Sequence, residues 1–180
     1  MAAGIEFDIL YFLQSLHTQW LDLFMKNVTS LGDHGMFWIL TGLVLLCFRP
    51  TRPMGLCVLL SLAAGFLIGN LILKNLVARE RPCWIDSSIP LLVKNPRDYS
   101  FPSGHTLASF EGAVSIWLYN RRWGEAFLVL AACIAFSRLY LFVHFPTDVL
   151  GGMVLGILIA WLVHKAVLKK CLHSGKTVIY

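Results

Sequence analysis

The residues MGLCVLLSLAAGFLIGNLILKNLV, at positions 54–77, decide the fold class of this chain. Lys74 is the single charged side chain in that run. As an α-helix, such a run is long enough to cross the apolar core of a bilayer, which takes about 20 apolar residues. The run therefore predicts a membrane-spanning helix with a cation near one end.

Further apolar runs extend this prediction to most of the chain. Of its 180 residues, 57% are hydrophobic and 14% are charged, whereas soluble domains carry about 25% charged residues. The other runs lie at about 36–48, 104–119, 125–143 and 147–168. The run at 36–48 is short, so it could extend back through 18–31 with a break near SLGDHG, or those residues could lie separately. We predict an all-α fold in which residues 1–180 form one polytopic transmembrane bundle of five to six spans.

The N-terminal segment is expected to lie along the membrane surface. Residues 5–16 place five apolar side chains on one helical face: Ile5, Ile9, Phe12, Leu13 and Leu16. Glu6 and Asp8 stand among them, and no basic region comes before them, which argues against a cleaved signal peptide. The pattern predicts an interfacial helix.

The charges of the connecting segments predict the orientation. One side of the bundle collects eight Lys and Arg residues and one acid, Glu125, while the other collects seven basic and eight acidic residues. Because cytoplasmic loops are enriched in Lys and Arg, the first side is expected in the cytoplasm. The N-terminus, the 78–103 loop and the 144–147 connection then face outward. The same rule explains the net charge of +5 without a nucleic-acid partner.

Polar residues that are costly in a membrane gather at the predicted outer side. They come from three segments: Lys74 and Arg81; Ser103, Gly104 and His105; and Arg138, His144 and Asp148. Lys74 and Arg81 would share a face if the helix continued between them. Pro102 and Gly104 favour a helix N-terminus, where free N–H groups bind phosphate. Three cations with few acids nearby predict a tetrahedral oxyanion as ligand.

Each residue also has a simpler interpretation. Lys74 could extend from a helix end to the membrane surface. Arg81 and Arg138 could pair with Glu80 or Asp148, and His105 could be a satisfied polar residue at a helix terminus. Because all of these residues occur together, one shared binding site explains them better than separate structural roles.

The three segments resemble the signature of the type 2 phosphatidic acid phosphatase superfamily. The pattern K-x6-R-P matches KNLVARERP at 74–82, P-S-G-H matches 102–105, and S-R-x5-H-x3-D matches SRLYLFVHFPTD at 137–148. All three patterns are complete and in order, which gives a signature core at 74–148.

The resemblance implies a role for each signature residue. His144 resembles a nucleophile that becomes a phosphohistidine, Asp148 the carboxylate that orients it, and His105 the general acid and later the base. The residues implied to hold the phosphate are Lys74, Arg81, Ser103, Gly104 and Arg138. Members of the family need no metal or other cofactor, so none is expected.

The resemblance also implies the substrate class and location. A lipid phosphate is expected as substrate and the bilayer as the only other partner, with no nucleic acid and no obligatory protein partner. The short 83–101 segment leaves little room for a substrate cap. We favour undecaprenyl pyrophosphate, hydrolysed to the monophosphate at the outer face of a bacterial plasma membrane. Phosphatidic acid and phosphatidylglycerophosphate are the alternatives.

Other classes of protein are less consistent with the sequence. A metal hydrolase could use His105, His144 and Asp148 as ligands, but three surrounding cations oppose a metal ion. Glu111, inside a predicted span, could indicate a transporter, or it could hydrogen-bond within the bundle. Vanadate-dependent haloperoxidases share the signature but are soluble and larger. A non-catalytic lipid binder would be expected to lack a signature residue. The five scattered cysteines suggest neither a disulfide framework nor a zinc site.

Overall fold

A computed structural model describes residues 2–173, which form helices joined by loops, and these residues contain no strand. The first half contains α1 (Ala2–Ser15), α2 (Gln19–Ser30), α3 (Met36–Cys47) and α4 (Arg52–Gly65). A π-helix (Phe66–Leu73) and α5 (Lys74–Val77) continue directly from α4. The second half contains α6 (Pro82–Ile85), α7 (Gly104–Trp117), α8 (Arg121–Tyr140) and α9 (Pro146–His173). The predicted all-α class is confirmed for the described residues.

Three stretches are long and apolar enough to cross a membrane: Arg49–Ile85, Arg121–Tyr140 and Pro146–Lys169. The helices before and after SLGDHG meet at a 41° bend and qualify together as a fourth. His34 (φ 52°) and Gly35 (φ 66°) adopt left-handed backbone conformations at this break, which interrupt the helix. The bend agrees with the predicted break, while a total of five to six spans stays a prediction.

Helix α7 is the centre of the bundle. It packs mainly against α8, α9 and α4, and ten of its 14 residues are buried. Gly152 and Gly156 of α9 lie so close to α7 that an added Cβ would be 2.8 Å from the carbonyl oxygens of Ser103 and Leu107. Small residues permit such close helix crossings. The apolar run at 104–119 thus forms an enclosed helix that is short for a span, and a crossing by α7 stays a prediction.

The helix does not continue from Lys74 to Arg81, so the condition for a shared helical face is not met. Ala78 adopts a left-handed conformation (φ 47°), and its N–H donates to the Lys74 carbonyl to cap α5. Arg81 is extended, as expected for the residue before Pro82. Arg81 therefore approaches Lys74 because the chain turns, not because the two share a helical face.

Helix α1 packs on the connection between α8 and α9. Leu10 is buried with Tyr140 and Phe142, and the Phe7 ring meets that of Phe145 edge-on. The opposite face of α1 exposes Ile5, Ile9, Phe12 and Leu16, whereas Leu13 is buried. The predicted helix is present, and its placement at a membrane interface stays a prediction.

Candidate active site

A cavity of about 1230 Å³ lies between α3, α4, α7 and the loop before α7. Six residues of the three signature segments line it: Lys74, Arg81, Gly104, His105, Arg138 and His144. Ser103 and Asp148 are fully buried behind this lining. The fold therefore gathers the three distant segments at one site.

His144 faces the cavity as a neutral imidazole with a defined tautomer. Its Nε2 lies 3.0 Å from Nη1 of Arg81. Because a guanidinium only donates hydrogen bonds, Nε2 must be the acceptor, and the ring proton is assigned to Nδ1. Burial, together with the charge of Arg81, holds the pKa of His144 well below its usual value. The ring thus presents an unprotonated Nε2, the form that a nucleophile requires.

Ser100 lies between His144 and Asp148. Nδ1 of His144 is 3.6 Å from Oδ2 of Asp148, too far for a good hydrogen bond. The Ser100 hydroxyl is 3.3 Å from Nδ1 and donates to Oδ2 at 2.5 Å. The predicted orienting carboxylate therefore acts on His144 largely through this hydroxyl. Ser100 stands two residues before the P-S-G-H pattern, which was the only sign of it in the sequence.

Asp148 is held by a network that reaches α1. Arg79 donates to Oδ1 of Asp148 at 2.7 Å and to Glu6 at 2.6 Å. Glu6 also accepts from the amide and hydroxyl of Thr147, at the start of α9. The amide of Phe145 donates to Oδ2 of Asp148 at 2.8 Å. Both oxygens of this fully buried carboxylate are therefore satisfied, and its charge faces that of Arg79.

Neither Arg79 nor Glu6 was predicted from the sequence to reach the site. Two features could have identified them. Arg79 lies inside the K-x6-R-P segment, two residues before Arg81. Glu6 is an acid within an otherwise apolar helical pattern, and such a residue usually has a partner.

Asp98 supplies to Lys74 and Arg81 a negative charge that had been expected from a ligand. It bonds to Nζ of Lys74 and accepts from Nη2 of Arg81 at 2.8 Å. Burial alone would raise the pKa of Asp98, but these two cations lower it to about 2. The expectation of few nearby acids was therefore wrong. It failed because Asp98 lies on the loop between α6 and α7, whose path the sequence does not reveal.

Arg138 is buried and retains unused hydrogen-bonding capacity. Its Nη1 donates to Thr29 at 2.6 Å, and its Nε has no partner among the described residues. The pairing of Arg138 with Glu80 or Asp148 is not found there, since Asp148 pairs with Arg79 instead. A buried guanidinium N–H beside a cavity is suited to an incoming oxyanion.

His105 contacts an acid from the break between α2 and α3. Its Nε2 lies 2.9 Å from Oδ1 of Asp33. Gly32 fits closely against the ring, because an added Cβ would be 2.6 Å from Cδ2 of His105. The bend between α2 and α3 thus brings a carboxylate to the imidazole that was predicted to transfer protons. The sequence analysis did not predict this partner.

Ser103 and Gly104 begin α7 but differ in how they face the cavity. The Ser103 amide donates to the Asp148 carbonyl at 3.1 Å, and its hydroxyl accepts from Thr106 at 3.0 Å. Both groups are therefore engaged inside the protein. Gly104 lines the cavity, so it is the member of this pair that is placed to approach a ligand.

The cavity continues from the cations into an apolar region. Side chains of α3, α4, the π-helix and α7 form its walls there: Ile39, Leu59, Leu62, Phe66 and Leu107. The site thus combines a cationic end with an apolar end. Such a shape suits an amphiphile with an anionic head. Among residues 2–173, no group of three or more His, Cys, Asp and Glu side chains is arranged to hold a metal ion.

Comparison with known proteins identifies the family of this chain. Residues 54–171 match the family model described as PAP2 superfamily. An undecaprenyl-diphosphatase of Sulfolobus acidocaldarius is 35% identical over 126 residues, covering 69% of this chain and 61% of that protein. The undecaprenyl-diphosphatase BcrC of Bacillus subtilis is 29% identical over 148 residues, covering 82% of this chain and 76% of that protein.

A solved structure has the same fold. The transmembrane PAP2-type phosphatidylglycerolphosphate phosphatase of Bacillus subtilis superposes with a TM-score of 0.77 at 28% identity, covering 93% of this chain and 87% of that one. The family model covers more than half of the chain and includes all three signature segments. The chain therefore belongs to the PAP2 superfamily, whose relatives named above are phosphatases of lipid phosphate esters and diphosphates.

Proposed function

We propose that this protein is a membrane lipid phosphatase that works through a phosphohistidine at His144. The observation that carries the proposal is the position of His144 Nε2, which accepts a hydrogen bond from Arg81 and faces a cavity lined by three cationic side chains. Lys74 and the two arginines would neutralise the phosphoryl oxygens, with Lys acting as a point charge and Arg as a fork. Phosphoryl transfer needs mainly such positioning and charge stabilisation.

The first step forms a bond from Nε2 to phosphorus and breaks the bond from phosphorus to the leaving oxygen. His105 gives that oxygen its proton, while Nδ1 of His144 keeps its own proton toward Ser100. The imidazole carries positive charge after attack, and Asp148 stabilises it through Ser100. In the second step His105 takes a proton from water, whose oxygen attacks phosphorus while the bond from phosphorus to Nε2 breaks, and phosphate is released. The cycle then returns to neutral His144.

The favoured substrate is undecaprenyl pyrophosphate, which gives the monophosphate and inorganic phosphate. Two relatives named for this activity support it. The second candidate is a glycerophospholipid such as phosphatidic acid or phosphatidylglycerophosphate. The structural neighbour named for phosphatidylglycerolphosphate supports that candidate. The apolar end of the cavity suits the chain of either lipid.

A rapid-quench experiment tests the mechanism. Purified protein in detergent would be mixed with a lipid labelled in its terminal phosphate, quenched in alkali and examined for protein-bound label. We expect an alkali-stable, acid-labile phosphoenzyme in the wild type and none with His144→Ala. His34→Asn changes another histidine lining the cavity and should behave as wild type. A folded His144→Ala protein that turns over at a near-normal rate would refute the mechanism.

We further propose that the site faces the outside of a bacterial plasma membrane. The charge distribution between the two predicted sides supports this orientation. Cys83 lies in the loop expected outside but is buried, so it is a poor probe. Ser87→Cys and Arg122→Cys replace exposed residues on opposite sides, in a background without the native cysteines. An impermeant thiol reagent should label only Ser87→Cys in intact cells, and the reverse pattern would invert the orientation.

A further inference from the structure

Glu111 is a buried acid that the proposed mechanism does not use. It lies on α7, is 1% exposed and lines the same cavity as His105 and Arg138. Its Oε1 has no hydrogen-bond partner among the described residues. Gly65 of α4 stands opposite, and an added Cβ there would overlap the carboxyl group. The bundle therefore leaves room for this side chain without supplying it with a partner.

The surroundings of Glu111 are apolar. Within one turn of Gly65, α4 and the π-helix line the cavity with Leu62, Ala63 and Phe66. Within one turn of Glu111, α7 contributes Leu107 and Ala108. Burying an ionised carboxylate without a partner is far more costly than burying a neutral acid. A neutral carboxylic acid offers one hydrogen-bond donor and also an acceptor.

A second unsatisfied group lies between Glu111 and the cationic end of the cavity. Asn70 is on the π-helix, one turn before Lys74, and its Oδ1 is buried without a partner among residues 2–173. It lines the cavity beside Gly104. Isolated π-helical turns occur frequently at functional sites. Buried polar groups are normally paired. Glu111 and Asn70 therefore give this part of the cavity wall a polar stretch, in which the neutral acid can donate a hydrogen bond and the Asn70 oxygen can only accept one.

We propose that Glu111 forms a second polar subsite, in which its neutral carboxyl group donates a hydrogen bond to an ester carbonyl of the substrate lipid. This inference rests on the proposed phosphatase function. Glu111 lies six residues after His105, which corresponds to about 9 Å along α7. An acyl glycerol carries ester carbonyl groups a few bonds from its phosphate, and these accept hydrogen bonds. A polyprenyl chain has only hydrocarbon in that position, so this subsite supports the second candidate substrate, a glycerophospholipid, over undecaprenyl pyrophosphate.

The experiment compares lipids that differ only at this position. Purified protein in detergent would be given diacyl phosphatidic acid, its dialkyl ether analogue of equal chain length, and, as a third substrate, a polyprenyl pyrophosphate. The wild type should favour the diacyl lipid over the ether by about tenfold in kcat/KM. The ether lacks the carbonyl group, so the buried donor of Glu111 stays unpaired and kcat/KM for that lipid falls. Glu111→Leu should bring that ratio close to one while retaining activity on the ether lipid. Glu111→Gln keeps a donor and should keep the preference.

Thermal unfolding separates recognition from a structural role. Replacing an unpartnered buried acid with leucine should leave the melting temperature unchanged or raise it. Glu125→Gln changes an exposed acid and serves as the control. A diacyl-to-ether ratio that is unchanged in Glu111→Leu would overturn the subsite, as would an equal loss on all three lipids with a lower melting temperature. If Glu111→Leu does not fold, the wild type alone tests the subsite, and a diacyl-to-ether ratio near one in the wild type would overturn it. Hydrolysis of none of the lipids by the wild type would refute the phosphatase function instead.

Discussion

The two walls of the cavity differ in how their polar groups are satisfied. Behind His144, both oxygens of Asp148 accept hydrogen bonds from Arg79, Ser100 and the Phe145 amide. Elsewhere around the cavity, three residues have buried polar atoms without a partner in the described structure: Asn70, Glu111 and Arg138. The first wall is complete without a ligand, whereas the second has groups that a ligand could complete. Substitutions should therefore affect the rate of chemistry on the first wall and substrate binding on the second.

Asp148→Asn should have the largest effect among the residues that support His144. The amide preserves the shape but removes the charge that stabilises the imidazolium, and it changes the hydrogen bond with Ser100. We expect kcat to fall by about 10³–10⁴-fold, the scale seen when an orienting carboxylate loses its charge. Steady-state kinetics would measure the loss, and circular dichroism would confirm the helical fold.

Asp86→Asn is the control for that substitution, because Asp86 lies in the loop before α7 and pairs with Tyr11. It should leave kcat unchanged. A decrease of less than tenfold in Asp148→Asn would show that His144 is oriented without this charge.

His105→Ala tests proton transfer, and its effect should depend on the leaving group. An alkoxide from phosphatidic acid needs a proton, whereas nitrophenolate leaves readily without one. The rate on phosphatidic acid should fall by about 10²–10⁴-fold, the usual contribution of general acid catalysis. The rate on p-nitrophenyl phosphate should fall much less. Equal losses on both substrates, with chemistry limiting, would leave His105 only a role in phosphate binding.

The residues that the sequence revealed share one property. Lys74, His105 and His144 are ionisable groups within or beside apolar runs, where burial is costly, so the pattern alone indicates function. The helical class followed in the same way from the length of the runs. Both predictions depend on local composition, which the sequence states directly.

The site residues that were not recognised in the sequence are brought to the site by the path of the folded chain. Asp98 and Ser100 reach the site only because the loop before α7 folds back over it. Glu6 reaches Asp148 because α1 packs on the connection between α8 and α9. Serine and aspartate in a loop are common at any surface, so their types carried no signal. The turn at Ala78 was also missed, since alanine rarely adopts a left-handed conformation.

Arg79→Ala should have an intermediate effect, because Arg79 positions Asp148 rather than touching the substrate. Loss of its hydrogen bonds to Asp148, Glu6 and Thr147 would free the Asp148 carboxylate to move, and small misplacements of catalytic groups can cost about 10²-fold. We expect kcat to fall by about 10–100-fold with little change in KM. Phosphoenzyme formation, followed by rapid quench, should slow by the same factor.

Glu6→Gln provides the comparison for Arg79. If the two residues act as one unit, the double variant should be no slower than Arg79→Ala alone. Arg79→Lys retains a charge but not the fork, so it should recover only part of the rate. A change in KM with normal kcat would instead place Arg79 among the substrate-binding groups.

Asp98→Asn should have the smallest effect and the opposite sign. Asp98 holds its negative charge against Lys74 and Arg81, the two cations that would bind an oxyanion. Removing the charge frees both cations and ends its repulsion of the ligand. Vanadate, as a competitive inhibitor, should bind about tenfold more tightly to the variant, in the range expected for like charges held apart in a partly buried site.

The pH dependence makes this last prediction specific. Because Lys74 and Arg81 hold the pKa of Asp98 at about 2, lowering the pH from 8 to 5 does not protonate it. The ratio of wild-type to variant inhibition constants should therefore be the same at both values, since changes in vanadate itself cancel in the ratio. Arg97→Gln removes a neighbouring exposed charge and should not tighten the binding of vanadate. Weaker vanadate binding in Asp98→Asn would mean that Asp98 holds the two cations in place for the substrate.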